Sequence, residues 1–283
     1  MALYRLTEPK DLVAPTLIAA FDGWVDAGSA ATAAASQIAE GGDLVATFEG
    51  DLLFDYRARR PTLEIRDGRM ASLAWRELTI RRVRIGERDL LILTGVEPDF
   101  RWREFCDAVL DIASRLGVAQ WISLGAIPAA VPHTRAVPII GTESEGGLLR
   151  GNIRPGPEGL LRVPAAVLSV LEMMMARAGT TAVGYFAQVP HYVSGPYPVA
   201  AVALLRAVER HVGVTIPGGS LEEDARLLGS HLDSLAKGDE TTRAYVERLE
   251  SMADEERLPA GDELISEIER FLRETGSGGG QRS

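Results

Sequence analysis

The strongest constraint on this chain is an alternation of short apolar runs with longer stretches of helical periodicity, sustained from about residue 16 to residue 212. Thr16–Phe21 is wholly apolar after its first residue and ends at Asp22-Gly23, the pattern of a buried strand. The Ala-rich stretch from Asp26 to Glu40 contains no proline and stops at Gly41-Gly42, which predicts a helix slim enough to lie close on a sheet. Further strands are predicted at Asp43–Phe48, Thr62–Ile65, Glu77–Ile85 and Asp89–Thr94, with turns at Asp67-Gly68 and Gly86-Glu87. Pro98 suits a first helical position. Trp102, Phe105, Val109, Ile112 and Leu116 then recur at three- and four-residue spacings, which puts them on one helical face that Gly117 ends. A strand at Gln120–Leu124 leads into a Pro- and Gly-rich stretch from Ala126 to Gly159, with a short strand at Val137–Gly141. A helix from Val163 to Ala178, a strand at Thr181–Ala187 and a helix from Pro198 to Val212 complete the body.

Strands alternating with helices predict an α/β fold around a mainly parallel, helix-covered sheet. Ligands of such sheets bind at the carboxyl ends of the strands. Four predicted strand exits deliver Asp22, Trp24 and Asp26, then Glu97 and Arg101, then His133 and Arg135, and finally His191 and Tyr192 toward one rim. These nine residues are the candidate ligand-binding set. The competing reading makes them a loop network, with Asp22 or Asp26 capping the following helix, Glu97 pairing with Arg101 one turn on and His191 after Pro190 holding a turn.

After Gly218-Gly219 the texture changes. Leu221, Ala225, Leu228, Leu232 and Leu235 are spaced 4, 3, 4, 3, and shorter seams follow at Tyr245-Leu249-Met252 and Leu264-Ile268-Phe271. The chain is thus read as an α/β body over residues 1–219, a helical appendage over 220–274 and a disordered Gly/Ser-rich tail over 275–283. The net charge of −10 is uneven: residues 221–274 hold 16 acidic and 7 basic residues, whereas Arg57 to Arg88 holds ten arginines and four acids. The expectation is that the acidic helices pack on the body or a neighbouring subunit with their outer faces near that basic stretch. Acidity also argues against nucleic acid as a partner. A single cysteine, Cys106, and the absence of a signal-peptide pattern or a membrane-length apolar run indicate a cytoplasmic protein without membrane contact.

Four segments in register, Phe21-Asp-Gly-Trp-Val-Asp-Ala-Gly, Glu97-Pro-Asp-Phe-Arg-Trp-Arg-Glu-Phe, Val131-Pro-His-Thr-Arg and Val189-Pro-His-Tyr-Val, resemble the motifs of the PAC2 (proteasome-assembly-chaperone-2-like) family in its actinobacterial form. Leu258-Pro-Ala-Gly-Asp-Glu-Leu is similar too. The resemblance implies a nucleoside-phosphorylase/hydrolase-like sandwich and kinship with proteasome-assembly chaperones. It also implies a homo-oligomer, a trimer first and a dimer second. Chaperone relatives are associated with a hydrophobic–tyrosine–any-residue tail, whereas this sequence ends Gly-Gly-Gly-Gln-Arg-Ser.

No catalytic constellation accompanies these motifs. There is no G-x-S-x-G elbow, P-loop or G-x-G-x-x-G after a strand, hence no cofactor motif. Asp22, Asp26, His133 and His191 are suitable metal-ligand types, but no spacing fixes them on one element. Asp22 and Asp26 would repel phosphate from the one plausible cradle, Gly28-Ser29. The expected function is a non-catalytic assembly or interaction factor with a small-ligand or peptide pocket. The alternative is a small-molecule enzyme on a nucleoside-phosphorylase/hydrolase-like fold.

Overall fold

The computed structural model describes residues 2–157 and 159–257. The expected seam at Leu264, Ile268 and Phe271 and the Gly/Ser-rich tail lie outside them. In chain order the elements are β1 (Tyr4–Leu6), β2 (Thr16–Asp22), α1 (Ala30–Ile38), β3 (Asp43–Phe48), α2 (Gly50–Leu53), β4 (Thr62–Arg66), β5 (Arg69–Ala74), β6 (Leu78–Ile85) and β7 (Arg88–Val96). There follow α3 (Trp102–Arg115), β8 (Gln120–Ala129), β9 (Ile139–Glu143), β10 (Arg154–Pro155), α4 (Val167–Arg177), β11 (Thr181–Pro190), α5 (Pro198–Val212), α6 (Leu221–Gly238) and α7 (Glu240–Arg257).

Nine strands form one mixed sheet in the order β1-β3-β6-β7-β2-β8-β11-β9-β10. Its centre, β7-β2-β8-β11, is parallel throughout. Crossover connections force this arrangement, because parallel neighbours need a helix or long segment to return the chain. Successive residues of β2 point to opposite faces and feed two apolar layers. Leu17, Ala19 and Phe21 pack with Phe105, Val109 and Ile112 of α3 and Leu168, Leu171 and Met175 of α4. Ile18 and Ala20 pack with α1 and with Leu204, Leu205 and Val208 of α5. Ala30, Ala31, Ala34 and Ala35 are all buried, so the alanine face of α1 is what allows its close approach to the sheet. Each buried Leu, Ile or Val contributes about 1.5–3 kcal/mol, which makes these two layers the main source of stability.

Three local details differ from the sequence expectations. The α3 helix starts at Trp102 rather than Pro98, because Arg101 takes a left-handed backbone (φ 56°) and the Trp102 Nε1–H donates back to the Pro98 carbonyl at 2.6 Å. The segment after Asp67-Gly68 is a strand, β5, which pairs only with β4 in a separate two-stranded sheet. Leu63 faces Leu73 and Ile65 faces Met70, giving that hairpin one apolar face. All four side chains are exposed, Met70 to 81%. Finally, the α6 seam turns inward only in part. Leu221, Leu228 and Leu232 pack against the layer containing α5, and Ala236 is buried, but Leu235 faces solvent. Among the described residues no helix is long and apolar enough to cross a membrane.

Candidate functional site

Because β7, β2, β8 and β11 are parallel, their carboxyl ends share one edge of the sheet, and all nine candidate residues follow those ends. They separate into two groups with different partners. At the β2 and β7 ends, the buried Glu97 carboxylate is the organiser. One oxygen accepts the backbone N–H of Trp24 at 3.2 Å and the other accepts the N–H of Val167, the first residue of α4, at 2.7 Å. The Glu97 N–H in turn donates to the Asp22 carbonyl at 3.0 Å. A carboxylate at the α4 N-terminus also meets the positive end of the helix dipole. Gly23 is required beside it, since a Cβ there would lie 2.4 Å from the Glu97 oxygen.

Asp26 is buried and bonded inward. Its carboxylate accepts the N–H groups of Ala31 at 2.8 Å and Thr32 at 3.2 Å, and the Thr32 hydroxyl. It therefore ties the entry loop to the first turn of α1. Burial raises its pKa above the usual Asp value, against the opposing pull of those bonds. The chain between them passes through Gly28 at φ 63°, where a Cβ would lie 2.7 Å from the Tyr197 Cβ. Asp22 and Trp24 are exposed, Trp24 to 67%. The Glu97–Arg101 pair of the competing loop-network reading does not form. The left-handed backbone turns Arg101 away, and its guanidinium makes a two-point contact with Glu104 instead.

At the β8 and β11 ends, the candidate residues meet α6 and α7. The Tyr192 hydroxyl accepts the His133 N–H at 2.8 Å and contacts the ring Nδ1 at 2.8 Å. Donation of its one proton to Nδ1 leaves the proton of a neutral His133 on Nε2, an assignment that follows from the bonding network. That Nε2 is buried without a hydrogen-bond partner, and the nearest acceptor is the Asp233 Oδ1 of α6 at 3.5 Å. At that separation the contact is electrostatic rather than a formed hydrogen bond. Arg135 reaches α7 and binds Glu250 through Nη1 at 3.0 Å and Asp254 through Nε and Nη2 at 3.0 and 2.8 Å. These acids raise the Arg135 pKa further above its ordinary value, the Asp254 bond contributing most. The Thr134 hydroxyl also donates to Glu250. His191 presents Nδ1 to the Ala129 carbonyl at 2.9 Å and Nε2 to the Tyr245 hydroxyl of α7 at 3.0 Å. A carbonyl only accepts, so Nδ1 carries the His191 proton and Nε2 receives the tyrosine's. The rings of His133, Tyr192, His191 and Tyr245 meet edge to face at 5.8–6.1 Å.

The described acidic helices, α6 and α7, thus dock on the strand ends rather than on the Arg57–Arg88 stretch. The described ion pairs from α6 and α7 to the body run to Arg135, His133 and Arg206. Within the basic stretch, Arg59 pairs with Asp99 and Arg82 with Asp89. Sequence reasoning missed Asp233, Tyr245, Glu250 and Asp254 as partners of the rim. The four-residue spacing of Glu250 and Asp254, which sets both on one helical face, was the available signal. The chemistry of the rim is fixation. Burial raises the Tyr192 phenol pKa and pushes the Cys106 thiol up to about 12, so neither is an activated nucleophile.

A sequence profile of the PAC2 family matches residues 20–236. No curated protein matches the chain in sequence. Among solved structures, a Corynebacterium glutamicum protein of unknown function superposes with a TM-score of 0.83 at 32% identity, covering 90% of this chain and 98% of its own. A proteasome-assembly chaperone homologue from Mycobacterium tuberculosis superposes at 0.73 with 33% identity, covering 82% and 99%. A PAC2 family protein from Streptomyces avermitilis does so at 0.70 with 36% identity, covering 82% and 99%. The family match takes in the carboxyl end of β2, all of β7, β8 and β11 and most of α6, and the chain belongs to the PAC2 family.

Proposed function

We propose that this protein is a non-catalytic assembly or interaction factor whose partner is another protein, with proteasome core subunits as the first choice. One observation carries the reading. The polar groups at the strand ends that would otherwise bind or activate a substrate are engaged in holding loops and helices: Asp26 to α1, Glu97 to α4, and His133, Arg135 and His191 to the α6–α7 pair. What this edge of the sheet leaves free is adhesive surface, including Trp24, Phe100 and the apolar face of the β4–β5 hairpin. The choice of partner follows from the M. tuberculosis relative, which is described as a proteasome-assembly chaperone homologue. In this reading the protein acts in the cytoplasm and associates with itself, a trimer before a dimer as the family resemblance implies; the exposed apolar face of the two-stranded sheet, which needs cover, supports association.

The test is to mix the purified protein with proteasome α and β core subunits from the same cells and weigh the products by native mass spectrometry. A defined complex with α subunits, β subunits or half-cores is expected. Absence of all three, together with phosphate-dependent release of free base from a nucleoside, would overturn the proposal in favour of an enzyme.

A further inference from the structure

The contact between His133 and α6 has an unusual composition. The imidazole is 3% exposed, its Nδ1 is satisfied by Tyr192, and its Nε2 faces the Asp233 carboxylate at 3.5 Å with no other partner. Asp233 is half-exposed and is the one described α6 residue in an ion pair with the loop after β8. The other ties between the rim and the helical pair come from α7. They join Arg135 to Glu250 and Asp254, Thr134 to Glu250, and Tyr245 to His191. An arginine keeps its charge at every physiological pH, so the Arg135 ties do not respond to protons there, and the Tyr245–His191 contact is the one described α7 tie that ends on an imidazole. A histidine gains its charge within the physiological range.

We propose that His133 and Asp233 form a proton-operated clasp that sets how firmly α6 is held on the strand ends. The sign follows from the charges. A neutral imidazole offers Asp233 only an N–H dipole at long range. An imidazolium places a full positive charge beside the carboxylate, shielded from water on the His133 side and partly screened by solvent on the half-exposed Asp233 side. Tyr192 remains in place in both states, since its hydroxyl can donate to Nδ1 or accept from it. The ring itself meets Tyr192 and Asp233; on the adjoining loop and α7 the charged neighbours are Arg135, Glu250 and Asp254, which pair with one another, and beyond Tyr192 lie Tyr245 and His191. The clasp therefore tightens when the imidazole takes up a proton and slackens when it gives the proton up. The inference stands independently of which partner the protein binds, because it concerns only the hold of α6 on its own body.

Hydrogen exchange of the full chain, followed by mass spectrometry at pH 5.5 and pH 8.0 and corrected for intrinsic exchange rates, reads the clasp directly. Amides of residues 221–238 are expected to be protected roughly threefold to tenfold more at pH 5.5, with β8 and α5 as internal references. D233N keeps the side chain's shape, sits on a half-exposed position and should abolish the difference. His133→Gln should abolish it too. Equal corrected protection at the two pH values in the wild-type protein, or an undiminished pH effect in D233N, would refute the clasp.

Discussion

Glu97 shows how a motif residue acts when its neighbourhood is fixed by backbone geometry. Its carboxylate answers two N–H donors, a part-buried one from the loop after β2 and a buried one from the start of α4. Glu97→Ala leaves both without this acceptor, at about 1–3 kcal/mol for the buried Val167 N–H and less for the Trp24 N–H, which solvent reaches. The melting temperature should fall by several degrees in differential scanning calorimetry. Arg101→Ala removes only an exposed contact with Glu104 and should leave the melting temperature unchanged. An equal effect of the two substitutions would contradict this assignment. His211 supplies a pH dependence. Its Nδ1 lies 2.7 Å from the Tyr185 hydroxyl, and burial lowers its pKa to about 4. Between about 6.5 and 4 the unfolded chain binds a proton at this histidine that the folded chain does not. Its stabilising contribution is therefore full above about pH 6.5 and is lost as pH falls through that window. His211→Gln should flatten that part of a stability–pH curve measured by urea unfolding. This global effect has the opposite sign to the local clasp at His133, so the two separate cleanly. Asp22, Glu97, His133 and His191 were legible as rim residues because strand ends are visible in sequence. Their bonding partners were not, because the turn at Arg101 and the seating of α6 and α7 are decided by tertiary packing.

At the scale of elements, the buried parallel strands and their helices read directly from the sequence. Their apolar runs are long, and glycine, proline or aspartate ends them. The β5 strand did not, because Met70-Ala-Ser-Leu-Ala has no β-branched or aromatic residue to mark it as extended. Register with β4 holds it in place, and the apolar pairs Leu63–Leu73 and Ile65–Met70 result. Nothing in the described chain covers them. An exposed pair of strands with this face is marginal in isolation and adhesive toward another apolar surface. If this face holds the proposed homo-oligomer together, Ile65→Asp combined with Met70→Asp should shift the protein from oligomer to monomer in multi-angle light scattering, with the far-ultraviolet circular dichroism of the body retained. An unchanged oligomer would remove the hairpin from the interface.

For the whole molecule, the question is what holds the acidic helical pair to a nearly neutral body. Two contributions compete. Leu221, Leu228 and Leu232 pack against the layer containing α5, while Ala236, Val246 and Leu249 are buried. Several such side chains at about 1.5–3 kcal/mol each outweigh exposed ion pairs at about 0–1 kcal/mol each. The ionic ties to Arg135 and Arg206 therefore choose where the helices dock more than whether they do. The sequence showed the apolar seam and the charge imbalance but assigned the acids to the wrong arginines, because net charge carries no information about which cation a fold brings near. Two measurements divide the contributions. Raising salt to about 1 M, where the Debye length falls to about 3 Å, should leave the protease resistance of residues 221–257 nearly intact. Leu228→Asp with Leu232→Asp should instead expose the α6–α7 region to limited proteolysis and lower the melting temperature by several degrees, since each change buries a charge against α5 with no partner. If salt released the helices and the double substitution did not, electrostatics rather than apolar burial would be holding the pair.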